Sequence, residues 1–91
     1  MTHVHVVIRG GVQGVGYRFA TRAQARRIGV TGWVRNRSDG AVEAQLEGAP
    51  ESVDALLAWM EHGPAGATVD AIEVTAAAPT GARSFEILRT A

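Results

Sequence analysis

The chain has 91 residues, 46% of them hydrophobic and 20% charged, with a formal net charge of zero. That length suits one domain, spanning residues 1–91, which buries somewhat over ~60% of its unfolded surface. The absence of cysteine excludes disulfides, thiol catalysis and cysteine-ligated metals. No apolar run nears the ~18 residues of a membrane span, and no basic segment leads into an apolar one at the N-terminus, so the cytoplasm is the expected compartment.

Residues 3–9 alternate as a strand does, with Val4, Val6 and Ile8 on one face and His3, His5, Val7 and Arg9 on the other. A glycine-rich stretch follows. Residues 18–28 then read as a helix, with Tyr17, Ala20, Thr21, Gln24, Ala25 and Ile28 on one stripe and Arg22 and Arg26 opposite. Phe19 falls off that stripe, and periodicity gives it no role. Gly29 stops the helix. Residues 30–36 form a second strand, and Asp39-Gly40 signals a hairpin. Residues 41–47 alternate, with Val42, Ala44 and Leu46 inward and Glu43, Gln45 and Glu47 outward.

Pro50 opens a second helix, with Val53, Leu56, Leu57 and Met60 at helical spacing, and Gly63-Pro64 ends it. Residues 68–75 make a fourth strand with Ile72 and Val74 inward. The chain turns between Pro79 and Gly81, and residues 84–88 form a last short strand with Phe85 and Ile87 inward. This order predicts a ferredoxin-like α/β sandwich of the α+β class: βαββαβ, a mostly antiparallel sheet with two helices on one face, plus the short terminal strand. The first two strands then run parallel, with the third antiparallel between them. Asn36, ending the second strand, should therefore face the loop that leaves the first.

That loop carries the chemistry. It reads Gly10-Gly11-Val12-Gln13-Gly14-Val15-Gly16-Tyr17-Arg18. Its glycines permit positive φ and close approach of a ligand. A glycine-rich turn entering a helix aims successive backbone N–H groups at one spot, which suits a phosphate. Arg18 adds a permanent charge able to grip two phosphate oxygens. No acidic residue precedes Asp39, whereas residues 39–91 hold all nine acids against Arg83 and Arg89. Separate electropositive and electronegative regions follow if the fold does not interleave the two halves. The loop is neither a Rossmann fingerprint, since position 19 is Phe, nor a Walker loop, since no Gly-Lys-Ser/Thr occurs. A glycine-rich turn on its own is also an ordinary structural turn.

Two motifs narrow the reading. Val12-Gln13-Gly14-Val15 followed by an aromatic residue and Arg18 resembles the first signature of the acylphosphatase family. Gly32-Trp33-Val34-Arg35-Asn36, with Gly40, Val42 and Gly48 following, resembles the second. The resemblance extends over essentially the whole chain, to the Phe85-Glu86-Ile87 ending, and its one departure is Tyr17 where phenylalanine is usual. It implies hydrolysis of acyl phosphates to a carboxylate and inorganic phosphate, without a metal or other cofactor. It also implies that Arg18 binds phosphate, that Asn36 holds the attacking water, and that the amides of Val12, Gln13, Gly14, Val15, Gly16 and Tyr17 form the cradle. The chemistry is consistent. The leaving carboxylate, whose conjugate acid has a pKa of about 4, needs no strong general acid, and phosphoryl transfer mainly requires positioning and charge stabilisation.

Other residues receive plainer readings. His3 and His5 share a strand face but lack a third metal ligand, so they read as solvated histidines, and His62 complements a helix C-terminus. Trp33 and Trp59 read as core or half-buried. The rival reading is a noncatalytic module of the same fold that binds an acyl phosphate or another anion such as RNA. The first and third strands carry no aromatic residue, which weighs against RNA. A monomer without a membrane partner is expected.

Overall fold

The computed structural model describes all 91 residues. Its elements are β1 (Thr2–Gly11), α1 (Tyr17–Ile28), β2 (Thr31–Asn36), β3 (Val42–Gly48), α2 (Pro50–Met60), β4 (Thr68–Ala76) and β5 (Phe85–Ile87). They form one five-stranded sheet in the order β4-β1-β3-β2-β5. β3 is antiparallel to both β1 and β2, and β5 lies parallel to β2. The ferredoxin-like sandwich expected from the sequence is therefore the observed fold, and the C-terminal ends of β1 and β2 meet at one end of the sheet. β1 is longer than its alternation suggested. Gly10 and Gly11 stay paired with Val69 and Thr68 of β4, after a register shift between Arg9 and Gly10.

The helices cover one face. Val6, Ile8, Val34, Val42, Ala44 and Leu46 of the sheet meet Tyr17, Ala25, Val53, Leu56 and Met60 of the helices in a single core, closed by Phe85. Each such fully buried large side chain contributes about 1.5–3 kcal/mol of transfer free energy. The α1 stripe read from periodicity is the buried or half-buried face of that helix. Its C-terminus is closed by left-handed Gly29, whose N–H donates to the Ala25 carbonyl. Gly32 is fixed by space: a Cβ there would lie 1.9 Å from the Gln45 carbonyl oxygen across the β2–β3 ladder.

Three expectations are corrected. Val74 pairs with Val6 and so faces the helix side, yet it is 45% exposed. β4 is an edge strand, and the helices lie over the strands on the other side of β1. Glu47 points away from the helices as expected, but it is only 3% exposed. The segment between β4 and β5 must cross the open sheet face, and on the way Thr80 donates to Glu47 through both its backbone N–H and its hydroxyl. These hydrogen bonds outweigh the cost of burial and hold the Glu47 carboxyl below its ordinary range. His5 is not simply solvated, because its Nε2 lies 2.7 Å from Glu43 Oε2. Trp33 and Trp59 are half-buried, as read.

Candidate active site

The segment from Val12 to Phe19 splits its side chains from its backbone. Val12 is fully buried, Val15 packs against the core, and the Tyr17 ring is buried with its hydroxyl donating to the Met60 carbonyl at 2.7 Å. Burial pushes the Tyr17 phenol far above its ordinary range, so it remains a neutral donor. The backbone does the reverse. No N–H from Val12 through Phe19 makes a hydrogen bond of ordinary length and angle within the chain, and the first helical bond runs from Ala20 N–H to the Gly16 carbonyl at 3.0 Å. Helix N-termini leave such donors free. Here the helix has no side-chain cap, because its N-cap is Gly16 in the left-handed region, φ 78°. Any capping side chain would occupy the donors that an anion needs.

Gln13 has a second role that sequence reading missed. Its Nε2 donates to the Arg37 and Ala41 carbonyls, each at 2.8 Å. These carbonyls belong to the connection between β2 and β3, directly after Asn36. The glutamine thus ties the glycine loop to the hairpin that carries the other predicted site residue. Its spacing in the motif gave no hint of this, since the bonds span 24 and 28 residues.

Arg18 stands in the first turn of α1 with no hydrogen-bond or ion-pair partner in the chain. Its guanidinium carbon lies 5.7 Å from the centre of the Phe19 ring. Asn36 ends β2 opposite Val42, and its backbone carbonyl accepts from Ala91 N–H at 2.9 Å. Its side-chain Oδ1 is buried without an intramolecular hydrogen-bond partner. Such an unpaired buried acceptor is uncommon in a folded protein and sets Asn36 apart from the other polar side chains. The Gln13 bonds hold the glycine loop against the hairpin that follows Asn36, at the end of the sheet where β1 and β2 both finish, and Arg18 follows that loop in the first turn of α1.

The condition for two separate charge regions is not met. β3 inserts the acidic half between β1 and β2, so the halves interleave. Glu43 receives Arg35 Nε at 2.7 Å as well as His5, and Arg26 reaches Glu86 at 3.5 Å. A carboxylate does stand near the loop: Asp39, in the hairpin that Gln13 grips. It is engaged by Arg37 at 2.9 Å and Arg9 at 3.5 Å. The Ala41 N–H, followed by these arginines, holds its carboxyl below the usual range. Elsewhere, a shallow cavity of about 230 Å³ lined by Arg26, Gly29, Thr31, Arg83 and Phe85 lies at the far end of α1. The helix C-terminal carbonyls there disfavour an anion, and Arg26 is already bonded to the Phe85 carbonyl. No three His, Asp or Glu side chains come together as a metal site would require.

Comparison with known proteins identifies the family. The acylphosphatase family model matches residues 4–87. An acylphosphatase from a Synechococcus strain is 53% identical over 87 residues, covering 96% of this chain and 93% of that one. Among solved structures, acylphosphatase from Bacillus subtilis superposes with a TM-score of 0.93 at 31% identity, covering 97% of this chain and 99% of that chain. An acylphosphatase from Coxiella burnetii gives 0.92 at 33% identity, covering 96% and 92%. Sequence, fold and the two motifs meeting at one sheet end lead to the same place: the chain belongs to the acylphosphatase family.

Proposed function

We propose that the chain hydrolyses acyl phosphates with Arg18 and the amides of Val12 to Tyr17 holding the phosphoryl group and Asn36 positioning the attacking water. Acyl phosphate hydrolysis itself follows from family membership; the residue roles are the proposal. The observation that carries them is the row of uncommitted N–H donors from Val12 through Phe19, ending beside an arginine without an acidic partner. In water such donors would be solvated, and a tetrahedral dianion replaces that solvation with several charge-assisted bonds, each worth about 1.5–3 kcal/mol net.

The water oxygen attacks phosphorus in line, and the bond from phosphorus to the acyl oxygen breaks. The carboxylate leaves with the electron pair, and the water proton passes to a phosphoryl oxygen, yielding inorganic phosphate. The Asn36 side-chain amide, whose Oδ1 has no partner within the chain, holds the water by a hydrogen bond and orients it toward phosphorus. The chain's own residues need no metal for this, because the arginine and amides supply the charge stabilisation. The reading also takes residues 1–91 as a single monomeric domain acting in the cytoplasm, which size-exclusion chromatography and cell fractionation test. No helix is long and apolar enough to cross a membrane. RNA binding is disfavoured because the open sheet face is crossed by the Thr80 segment and carries Glu43 and Glu47.

The test compares Arg18→Ala and Asn36→Ala in benzoyl phosphate hydrolysis, with inorganic phosphate as inhibitor. Arg18→Ala should weaken phosphate inhibition and lower turnover together. Asn36→Ala should leave the inhibition constant near wild type and lower turnover by ~2 to 4 powers of ten, the scale of a positioned catalytic group. Near-normal turnover in folded Asn36→Ala would remove the water-positioning role. Noncompetitive inhibition by phosphate would place the anion elsewhere.

A further inference from the structure

Phe19 is the most exposed of the aromatic residues. It is 58% exposed, whereas Tyr17 and Phe85 are buried and both tryptophans are half-buried. A large exposed phenyl ring on a helix is unremarkable by itself. Its neighbours are not. The guanidinium carbons of Arg18 and Arg22 lie 5.7 and 5.6 Å from its centre, within the range of cation–π attraction. Neither arginine has a hydrogen bond or ion pair elsewhere in the chain. By contrast, Arg9, Arg26, Arg35 and Arg37 each have a carboxylate partner.

We propose that Phe19 is a positioning residue for the reaction: its ring holds the Arg18 guanidinium beside the glycine loop without consuming a hydrogen-bond donor. The inference rests on the assignment of Arg18 to phosphate binding. A carboxylate in the place of Phe19 would also anchor Arg18, but it would take the fork of N–H groups that the phosphate needs. An aromatic ring attracts the cation through its quadrupole and leaves every N–H free. It thus removes part of the rotamer freedom that Arg18 would otherwise lose on binding the anion. Arg22, one turn further along α1, shares the ring and keeps a second positive charge near the site.

The experiment uses the full chain and inorganic phosphate as the probe, read as the inhibition constant, with kcat and KM for benzoyl phosphate and acetyl phosphate. Phe19→Leu keeps an apolar side chain but removes the ring. It should raise the phosphate inhibition constant and both KM values by roughly two- to five-fold, the equivalent of an exposed cation–π contact. Phe19→Tyr should restore wild-type values. In an Arg18→Ala background, Phe19→Leu should change the phosphate inhibition constant no further, because the ring acts only through Arg18. The ring's exposure makes a folding defect unexpected, and circular dichroism checks each variant.

The outcomes separate the claims. If Arg18→Ala leaves phosphate inhibition intact, the binding assignment fails and this inference fails with it. If Arg18→Ala abolishes inhibition but Phe19→Leu matches wild type, only the positioning role is overturned. An effect confined to the KM for benzoyl phosphate, with phosphate and acetyl phosphate unaffected, would make Phe19 a contact for the acyl group and also overturn the inference.

Discussion

Replacing Gln13 by alanine tests whether the glycine loop and Asn36 form one rigid site. The side chain supplies two hydrogen bonds of 2.8 Å, to the Arg37 and Ala41 carbonyls. Both carbonyls keep another partner when Gln13 is removed: Gly40 N–H donates to Arg37 and Arg37 N–H donates to Ala41. The loss is therefore that of two net hydrogen bonds rather than two orphaned acceptors. At about 0.5–1.5 kcal/mol each, with the remaining partners favouring the lower half, Gln13→Ala should cost about 1–2 kcal/mol. For a domain of this size that is a fall in Tm of roughly 4–16 °C. Turnover should fall further than stability alone explains. The loop loses its fixed distance from the hairpin bearing Asn36, and a shift of about 1 Å in a reacting geometry costs up to ~100-fold. Gln13→Glu should be worse than alanine, because it turns a carboxylate toward two carbonyl oxygens. The assay is urea unfolding together with benzoyl phosphate hydrolysis per folded molecule. A destabilised Gln13→Ala protein with wild-type turnover per folded molecule would refute the link between these bonds and the site geometry.

Two further outcomes follow from side-chain groups that face away from the proposed site. Tyr17→Phe removes the donor to the buried Met60 carbonyl and should cost about 1–3 kcal/mol in urea unfolding while leaving turnover unchanged, since the hydroxyl points toward α2 rather than the loop. Glu47 and Glu43 have their folded pKa values held below the ordinary 4.5, so the unfolded chain binds more protons as pH falls. Their contribution to stability is present above about that pH and is lost as pH falls through the folded values. Tm should drop on acidification below about pH 4.5, and more shallowly in Glu47→Gln.

What could be read from the sequence was governed by how local its cause was. The α1 stripe from Tyr17 to Ile28 and the alternation of β3 follow from a single period, and both were legible. The approach of Asn36 to the glycine loop was legible because strand order fixes which ends coincide. Glu47 was read as outward, correctly, but its burial depends on a segment more than thirty residues away crossing the sheet. Val74 failed for the complementary reason. Its alternation is sound, but being covered depends on which strand ends up at the edge. The charge separation was conditional on the two halves staying apart, and that condition is not met because β3 sits between β1 and β2, a topological fact that no local charge count contains.

The site itself divides between groups specified by residue type and groups that every residue has. The proposed cradle consists of backbone N–H groups, so its chemistry does not require valine at 12 or tyrosine at 17. Those residues are fixed by packing: Val12 and Tyr17 fill the core, and Gln13 grips the hairpin. Changes there that alter packing, unlike loss of the Tyr17 hydroxyl alone, should act through the position and stability of the loop. Arg18 and Asn36 are the opposite case, because their free guanidinium and unpartnered Oδ1 contribute little to the fold. The same division explains how a site for a dianion tolerates Asp39 in the neighbouring hairpin. Arg9 and Arg37 both engage that carboxylate, so its charge is balanced locally. Arg18 and Arg22 have no acidic partner, and in the proposed site their positive charge lies beside the amide donors between Val12 and Phe19. An anion drawn to that potential meets hydrogen-bond donors already in place, which is the preorganisation that phosphoryl transfer requires.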